Sequence, residues 1–155
     1  MNQIQADLNV NKNWKLGVVT SRFNSQVTEL LESGAMAKLQ DMGIDSDQIV
    51  CTRVPGAYEL PVAAKWLLEQ GCHGVITLGA VIQGETSHFD YVCTSVERGC
   101  TELQLSTGKP VVFGVLTTQN SDLAFARCGG AKGHKGQEVA EVLVEMLNLK
   151  AMILA

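Results

Sequence analysis

Short apolar runs alternate four times with amphipathic stripes along the chain, and this alternation limits the fold more than any other feature. The runs are residues 16–20, 49–54, 74–78 and 111–116. Apolar residues recur at intervals of three and four within segments 27–42, 60–68, 89–103 and 139–147, a spacing typical of one helix face. A strand, a helix and a second strand in succession form a parallel pair with a right-handed crossover. The sequence therefore predicts an α/β fold with a four-stranded parallel sheet and helices on both faces.

Glycine and proline mark the ends of the predicted helices. Gly43 follows the first stripe, where a left-handed C-cap is expected. Pro61 stands in the first turn of the second stripe, where its missing N–H costs nothing, and Pro110 ends the third. A short helix is predicted from about Ser121, and a glycine-rich break at 128–136 precedes the last helix.

The first residues show a different period. Ile4, Ala6, Leu8 and Val10 alternate with polar residues, which is the period of a strand. Residues 1–13 therefore form an extended N-terminal segment that either pairs with a sheet edge of a neighbouring subunit or is a frayed tail. The length of 155 residues, with no linker-like stretch, predicts a single domain over 1–155.

Composition favours an oligomer and excludes several classes of partner. Only 18% of residues are charged, below the usual quarter or so, and 46% are apolar, so some apolar surface is expected in subunit contacts. A net charge of −4 argues against nucleic acid. We expect a cytoplasmic protein with no membrane partner, because neither a leader nor an apolar run of spanning length occurs. Five cysteines without a CxxC pair argue against a disulfide framework and a zinc site.

The turn predicted after the third strand, residues 79–86, has the spacing of a Walker A loop. Glu85 stands where that loop carries its lysine, which argues against nucleoside triphosphate chemistry. A glycine turn that opens a helix still points backbone N–H groups at an anion, so it predicts phosphate binding. The balancing cation must come from elsewhere, and Arg127 and Lys135 are the candidates. Alternatively, the glycines only permit a tight turn.

His88 begins the helix after this turn. Imidazole titrates near neutral pH, so His88 is the candidate for proton transfer, although a histidine at a helix start is also often a surface or capping residue. His73 fits that structural interpretation, and His134 fits either.

Two more loops lie at the same predicted edge of the sheet. Two prolines and a glycine fix segment 54–61 around Tyr58 and Glu59, which suits a polyhydroxylated substrate or is simply a helix start with an acidic first turn. Phe23, after the first strand, either stacks on a planar ring or packs in the core.

Together these loops resemble the lumazine synthase family over nearly the whole chain. The matching motifs are Arg22-Phe23-Asn24, segment 54–61 (VPGAYELP), segment 79–91 with Gly84 and His88-Phe89, and segment 113–118 (FGVLTT). The chain departs from the family where CGGAKGHKG follows Arg127 in place of the usual AGTKAGNKG. Because the length is kept, Arg127 and Lys135 stay in register.

The resemblance implies a flavodoxin-like, three-layer αβα sandwich assembled as pentamers, often twelve to an icosahedral shell, and the short 128–136 loop suits shell-forming members. It implies His88 as the proton-transfer residue. The implied substrate-binding residues are Phe23, Asn24, Gly56, Ala57, Tyr58, Glu59, Ala80, Val81, Ile82, Phe113 and Lys135. The implied phosphate-binding residues are Gly84, Glu85, Thr86 and Arg127. Phe113, Arg127 and Lys135 would come from the adjacent subunit.

The implied reaction condenses a ribitylamino-pyrimidine with a butanone phosphate, and it requires neither a cofactor nor a metal. The implied partners are the two small substrates, further copies of the chain and an associated riboflavin synthase. Two other interpretations stay open at this point. One is a pentameric riboflavin synthase of the archaeal type, and the other is a non-catalytic shell or flavin-binding protein.

Overall fold

Four parallel strands form the central sheet of the protein, whose computed structural model describes residues 1–155. The strands are β1 (Leu16–Ser21), β2 (Ile49–Val54), β3 (Gly74–Ile82) and β4 (Val111–Thr118). Their order is β2-β1-β3-β4, and every neighbouring pair is parallel. The predicted four-stranded parallel sheet is confirmed. Because β2 lies on one side of β1 and β3 on the other, the chain reverses its direction of winding between β1 and β3.

Helices cover both faces of this sheet. They are α1 (Ser25–Asp41), α2 (Leu60–Glu69), α3 (His88–Thr107), α4 (Ser121–Phe125) and α5 (Lys135–Leu154). Successive strand side chains point to opposite faces, so Ile76 packs with α1 and α5 in one core of 20 buried residues, whereas Val75 packs with α2 and α3 in a second core of 14. The structure is thus a three-layer αβα sandwich, consistent with the flavodoxin-like fold.

The predicted helix ends agree with the backbone geometry. Gly43 has a φ of 99°, in the left-handed region, directly after α1, and Pro61 lies in the first turn of α2. Gly108, with a φ of 62°, is the C-cap of α3. Glycine and proline therefore fix where three of the helices begin or end.

The third strand is longer than the sequence predicts. It continues from Leu78 to Ile82, and β4 extends alongside it to Thr118, so that Gly79 pairs with Val115. The turn before α3 is consequently shorter than the predicted 79–86 and lies within 83–87. The predicted turn began at Gly79 because glycine is typical of turns. Here Gly79 lies within a strand and allows close packing, since a Cβ there would lie 3.0 Å from Leu60 Cδ1.

The glycine-rich break folds into a small hairpin. Strands β5 (Cys128–Gly130) and β6 (Gly133–His134) pair in antiparallel fashion, and Gly129 and Gly133 take positive φ angles of 98° and 82°. The hairpin leads directly into α5.

The N-terminal segment forms no strand or helix in the single chain. Residues 7–9 rest on α5, because Asn148 Nδ2 donates hydrogen bonds to the backbone oxygens of Asp7 (2.9 Å) and Asn9 (2.8 Å). None of the helices is both long and apolar enough to cross a membrane.

Candidate active site

A cleft of about 690 Å³ opens at the carboxyl edge of the sheet, beside the β1–β3 reversal where ligands bind in open α/β sheets. It is lined by the turn after β1, the loop after β2, the end of β3 and the first turns of α3. Twelve residues proposed from the sequence line it: Phe23, Asn24, Gly56, Ala57, Tyr58, Glu59, Ala80, Val81, Ile82, Gly84, Thr86 and His88. Three segments distant in sequence, 23–24, 55–59 and 80–92, thus meet at one site.

Three lining residues were missed by the sequence reasoning. Pro55 belongs to a loop selected for its other members, Phe89 is quoted in a family motif without a site role, and Val92 is assigned only to the buried stripe of α3. Phe89 and Val92 are half-buried in the structure and border the cleft. Val92 follows His88 by four residues, so it lies on the same helix face, and this spacing could have identified it.

Phe23 is presented to the cleft rather than packed in the core. Its side chain is 72% exposed, which excludes the core interpretation for the single chain. Its backbone N–H donates to Pro55 O at 3.0 Å, which joins the turn after β1 to the loop after β2. Next to it, Asn24 takes a left-handed conformation (φ 60°, ψ 46°), and its Nδ2 donates to Ala80 O at 2.8 Å.

The loop after β2 is held closed by Glu59. Its Oε2 accepts a hydrogen bond from Gly56 N at 3.0 Å across a 3₁₀ turn, Ala57–Glu59. Ala57 is buried, whereas Tyr58 is 64% exposed at the rim of the cleft. Glu59 therefore fixes the helix start, as in the structural interpretation, and its second carboxylate oxygen remains available on a rigid loop.

The end of β3 presents an unpaired backbone edge. The pairing of β3 with β1 stops at Leu78, while its pairing with β4 continues to Ile82. Gln83 N donates to Thr118 O on β4, and Ala80 O accepts from Asn24 on the opposite side. Since backbone groups alternate in direction along a strand, the N–H and C=O of Ile82 face the cleft side, where no strand pairs with them.

The turn before α3 has open space beside Gly84. A Cβ on Gly84 would meet nothing within 4 Å, and the turn is exposed. Thr86 Oγ1 accepts from the His88 backbone N–H at 3.4 Å, and His88 is the exposed first residue of a 20-residue helix. Of the first four N–H groups of α3, only that of Phe89 lacks an acceptor in the chain, and together with the N–H groups of the turn it lies at the positive dipole end of the helix beside the cleft. Glu85 is the one residue of the proposed phosphate turn that does not line it.

The proposed cations lie outside the cleft of their own chain. Arg127 borders a separate cavity of about 330 Å³ beside Phe89, and its Nη1 donates to Leu123 O at 2.9 Å. Lys135 pairs with Glu138 at 2.9 Å at the start of α5. Phe113 lies 38% exposed on β4, an edge strand of the sheet. The cleft of one chain is therefore lined by no lysine or arginine.

Cys93 shares the second cavity with Arg127. Burial, and to a smaller extent the nearby Asp90 carboxylate, raises the pKa of the Cys93 thiol. The thiol is therefore protonated at neutral pH, so it is a poor nucleophile. No group of three or more His, Cys, Asp or Glu side chains is placed as metal ligands would be.

The other two histidines have structural roles. His73 Nδ1 accepts from Lys15 N at 3.0 Å beside the start of β1. His134 caps α5, because its Nδ1 accepts from Gly136 N at 3.1 Å and from Gln137 N at 3.4 Å. Neither lines the cleft, so His88 is the only histidine that does.

Comparison with known proteins points to one family. A family model described as 6,7-dimethyl-8-ribityllumazine synthase matches residues 13–151. A protein of that name from Bdellovibrio bacteriovorus is 50% identical over 135 residues, which are 87% of this chain and 74% of the relative. Relatives of the same name from Cytophaga hutchinsonii (48% identical; 84% of this chain, 83% of the relative) and Coxiella burnetii (44%; 88% and 91%) are similar over comparable lengths.

Proposed function

The chain belongs to the 6,7-dimethyl-8-ribityllumazine synthase family, and on that premise we propose that the cleft at the carboxyl ends of β1, β2 and β3 is its active site. The enzyme condenses 5-amino-6-(D-ribitylamino)uracil with 3,4-dihydroxy-2-butanone 4-phosphate to 6,7-dimethyl-8-ribityllumazine, the penultimate step of riboflavin biosynthesis. One observation carries the assignment of the site: the cleft combines an exposed aromatic ring, an unpaired strand edge and a histidine at a helix N-terminus.

Phe23 and the end of β3 suit the pyrimidine. The exposed ring of Phe23 offers a flat apolar face for stacking. The N–H and C=O of Ile82 offer a donor and an acceptor on the open side of β3, which complements the alternating donors and acceptors of a uracil ring, while the backbone of the adjacent Val81 pairs with β4.

The loop after β2 suits the ribityl chain. Gly56, Ala57 and Tyr58 line the cleft beside Glu59, whose second carboxylate oxygen accepts hydrogen bonds from hydroxyl groups. The bond from Gly56 keeps this loop from rearranging when the substrate binds, so less order has to be gained on binding.

The turn before α3 suits the phosphate. The backbone around Gly84, Glu85 and Thr86 leads into the N-terminus of α3, where N–H groups and the helix dipole favour an anion. Because the cleft contains no lysine or arginine of its own chain, the countercharge comes from Arg127 of an adjacent subunit, and Phe113 and Lys135 complete the same interface.

His88 moves protons during the condensation. The 5-amino group attacks the ketone and forms a Schiff base with loss of water, phosphate is eliminated, and the ribitylamino nitrogen closes the second ring with loss of a second water. Proximity of two bound reactants supplies up to roughly 7–11 kcal/mol of the barrier in well-oriented systems. General acid–base catalysis by His88 adds about 10²- to 10⁴-fold.

We test the activity by mixing both substrates and following the absorbance of the lumazine. No product at high enzyme concentration would refute the proposal. Incubation with lumazine alone should give no riboflavin, and riboflavin formation would favour the archaeal-type synthase instead.

Arg127→Ala tests the countercharge. It should raise the KM of the butanone phosphate with little effect on the KM of the pyrimidine, because it removes charge only from the phosphate end. Lys132→Ala, an exposed cation on the same hairpin, is the matched control and should leave both KM values unchanged. An unchanged KM for the phosphate substrate in Arg127→Ala would contradict the assignment.

His88→Ala tests the proton transfer. It should lower kcat by about 10²-fold or more with a smaller change in either KM, because the side chain is assigned to the reaction and not to binding. A normal kcat in this variant would show that His88 is a surface residue that takes no part in the reaction.

We further propose that the chain is a cytoplasmic homo-oligomer, a pentamer or a sixty-subunit icosahedral shell, which associates with riboflavin synthase. Exposed apolar side chains such as Leu105, Ile153 and Leu154 support burial between subunits. Light scattering of the purified protein distinguishes these sizes, and a monomer that is still active would overturn the shared site.

A further inference from the structure

Asn24 combines an uncommon backbone conformation with a side-chain bond across the cleft. It is the only non-glycine residue with a positive φ, and its Nδ2 donates to Ala80 O, 56 positions away in the chain, at 2.8 Å. Left-handed backbone is unfavourable for L-residues, and asparagine tolerates it better than most. An outlier of this kind persists only where the surroundings hold it in place.

The bond replaces a missing rung of the sheet. Strand β1 ends at Ser21 and its pairing with β3 ends at Leu78, so the later residues of β3 have no strand on that side. The Asn24 amide pairs with the Ala80 carbonyl, where the next rung of the ladder would stand. A loop that begins one residue after β1 is thereby anchored to the rigid end of β3.

The same residue sets the direction of the chain around Phe23. The carbonyl of Asn24 accepts from Val27 N (3.0 Å) and Thr28 N (3.1 Å) and so starts α1. Phe23 itself is 72% exposed, so its ring is placed by its backbone and not by packing. Any rotation of the turn would therefore displace the ring directly.

We propose that Asn24 is a positioning residue that holds the Phe23 ring at the angle needed for stacking on the pyrimidine, through its bond to Ala80 and not as a ligand of the substrate. This proposal rests on the proposed function. It separates Asn24 from the other polar groups of the cleft, because one of its two amide N–H donors is already engaged within the protein.

Three substitutions separate the two properties of Asn24. Asn24→Gly keeps the left-handed conformation but loses the amide, Asn24→Asp keeps the size but places a carboxylate against a carbonyl oxygen, and Asn24→Ala loses both properties. The KM of the pyrimidine should rise about three- to tenfold in Asn24→Gly and more in the other two. The KM of the butanone phosphate should stay unchanged in all three, because that substrate binds at Gly84.

A double-mutant cycle with Phe23→Ala decides how Asn24 acts. If it positions the ring, Asn24→Gly should have little further effect on pyrimidine KM once Phe23 is alanine. An equal fold-change in both backgrounds would show a direct ligand and overturn the proposal, as would an unchanged KM in Asn24→Gly alone. Asn148→Ala, which removes similar amide-to-carbonyl bonds far from the cleft, is the control and should leave both KM values unchanged.

The outcomes also distinguish this proposal from the proposed function. An inactive wild-type protein would refute the function, whereas an active wild type with a normal Asn24→Gly variant refutes only the role of Asn24. Should Asn24→Ala fail to fold, Asn24→Gly, which relieves the backbone, still decides. Binding of lumazine, followed by its fluorescence, should weaken in parallel with the rise in pyrimidine KM.

Discussion

The packing of His134 on Gly34 predicts a substitution whose effect on stability changes sign with its neighbour. The imidazole of His134 caps α5 and lies directly on Gly34 of α1. A Cβ on Gly34 would overlap the ring and come within 2.7 Å of Nδ1, the atom that accepts the capping hydrogen bonds. Gly34→Ala therefore cannot be accommodated unless the ring moves and the cap breaks.

The expected magnitudes follow from three opposing contributions. Loss of a helix cap costs about 0.5–2 kcal/mol, and overpacking costs about 1–3 kcal/mol. Alanine within a helix gains about 1 kcal/mol over glycine. Together these contributions predict that Gly34→Ala destabilises the wild type by about 0.5–4 kcal/mol. In a His134→Ala background, where no ring obstructs it, the same substitution should be neutral or stabilise by up to about 1 kcal/mol.

Urea unfolding followed by circular dichroism measures these changes in the free energy of unfolding. The wild type, the two single variants and the double variant are compared at one concentration, because subunit association contributes to stability. His134→Asn provides a further control, since asparagine is a good N-cap without a ring and should recover most of the loss seen in His134→Ala. An equal effect of Gly34→Ala in both backgrounds, or a stabilising effect in the wild-type background, would show that the His134 ring does not obstruct a Cβ at Gly34.

Three further substitutions have effects that can be read from the packing. Gly114→Ala should destabilise the protein by about 1–3 kcal/mol in urea unfolding, because its Cβ would lie 2.8 Å from a backbone oxygen of β3. Burial raises the pKa of Cys100 from 9.0 to about 11, so its contribution to stability should be present below pH 9 and lost as the pH rises towards 11. Cys100→Val should flatten that part of the pH–stability profile. Lys109→Met should cost about 0.5–1 kcal/mol, since Nζ donates to Leu68 O in the last turn of α2 (3.1 Å) and to Cys72 O just beyond that helix (3.2 Å).

The order of helices and strands could be predicted because both faces of the sheet are covered. A strand buried on both faces is mainly apolar, as Leu16–Ser21 and the first half of Gly74–Ile82 are, and such runs stand out between amphipathic helices. The strand ends could not be predicted in the same way. Gly79 is typical of a turn by residue type, yet here it serves close packing between β3 and α2, a tertiary requirement that no local pattern contains.

The cleft could be predicted for a topological reason. In a parallel sheet the carboxyl ends of all strands lie at one edge, so the loops that contain Phe23, Tyr58 and His88 had to meet. The internal bonds of the site could not be predicted. That Glu59 is engaged by Gly56, and the amide of Asn24 by Ala80, depends on distances of about 3 Å between backbone atoms, which motif spacing does not specify.

Residue patterns within one chain do not show where the two proposed cations of the site lie, and the reason is physical. Periodicity shows which face a residue presents within its own chain, and by that measure Arg127 and Lys135 are simply the flanks of a glycine-rich hairpin. The structure places both outside their own cleft, while the proposed phosphate turn there has only the α3 dipole and the acidic Glu85 next to it. A helix terminus offers an effective charge of only about +0.5, too little to balance a phosphate dianion. A site that binds this anion must therefore receive positive charge from outside the chain, and the exposed Phe113 edge of the sheet lies open for such a contact.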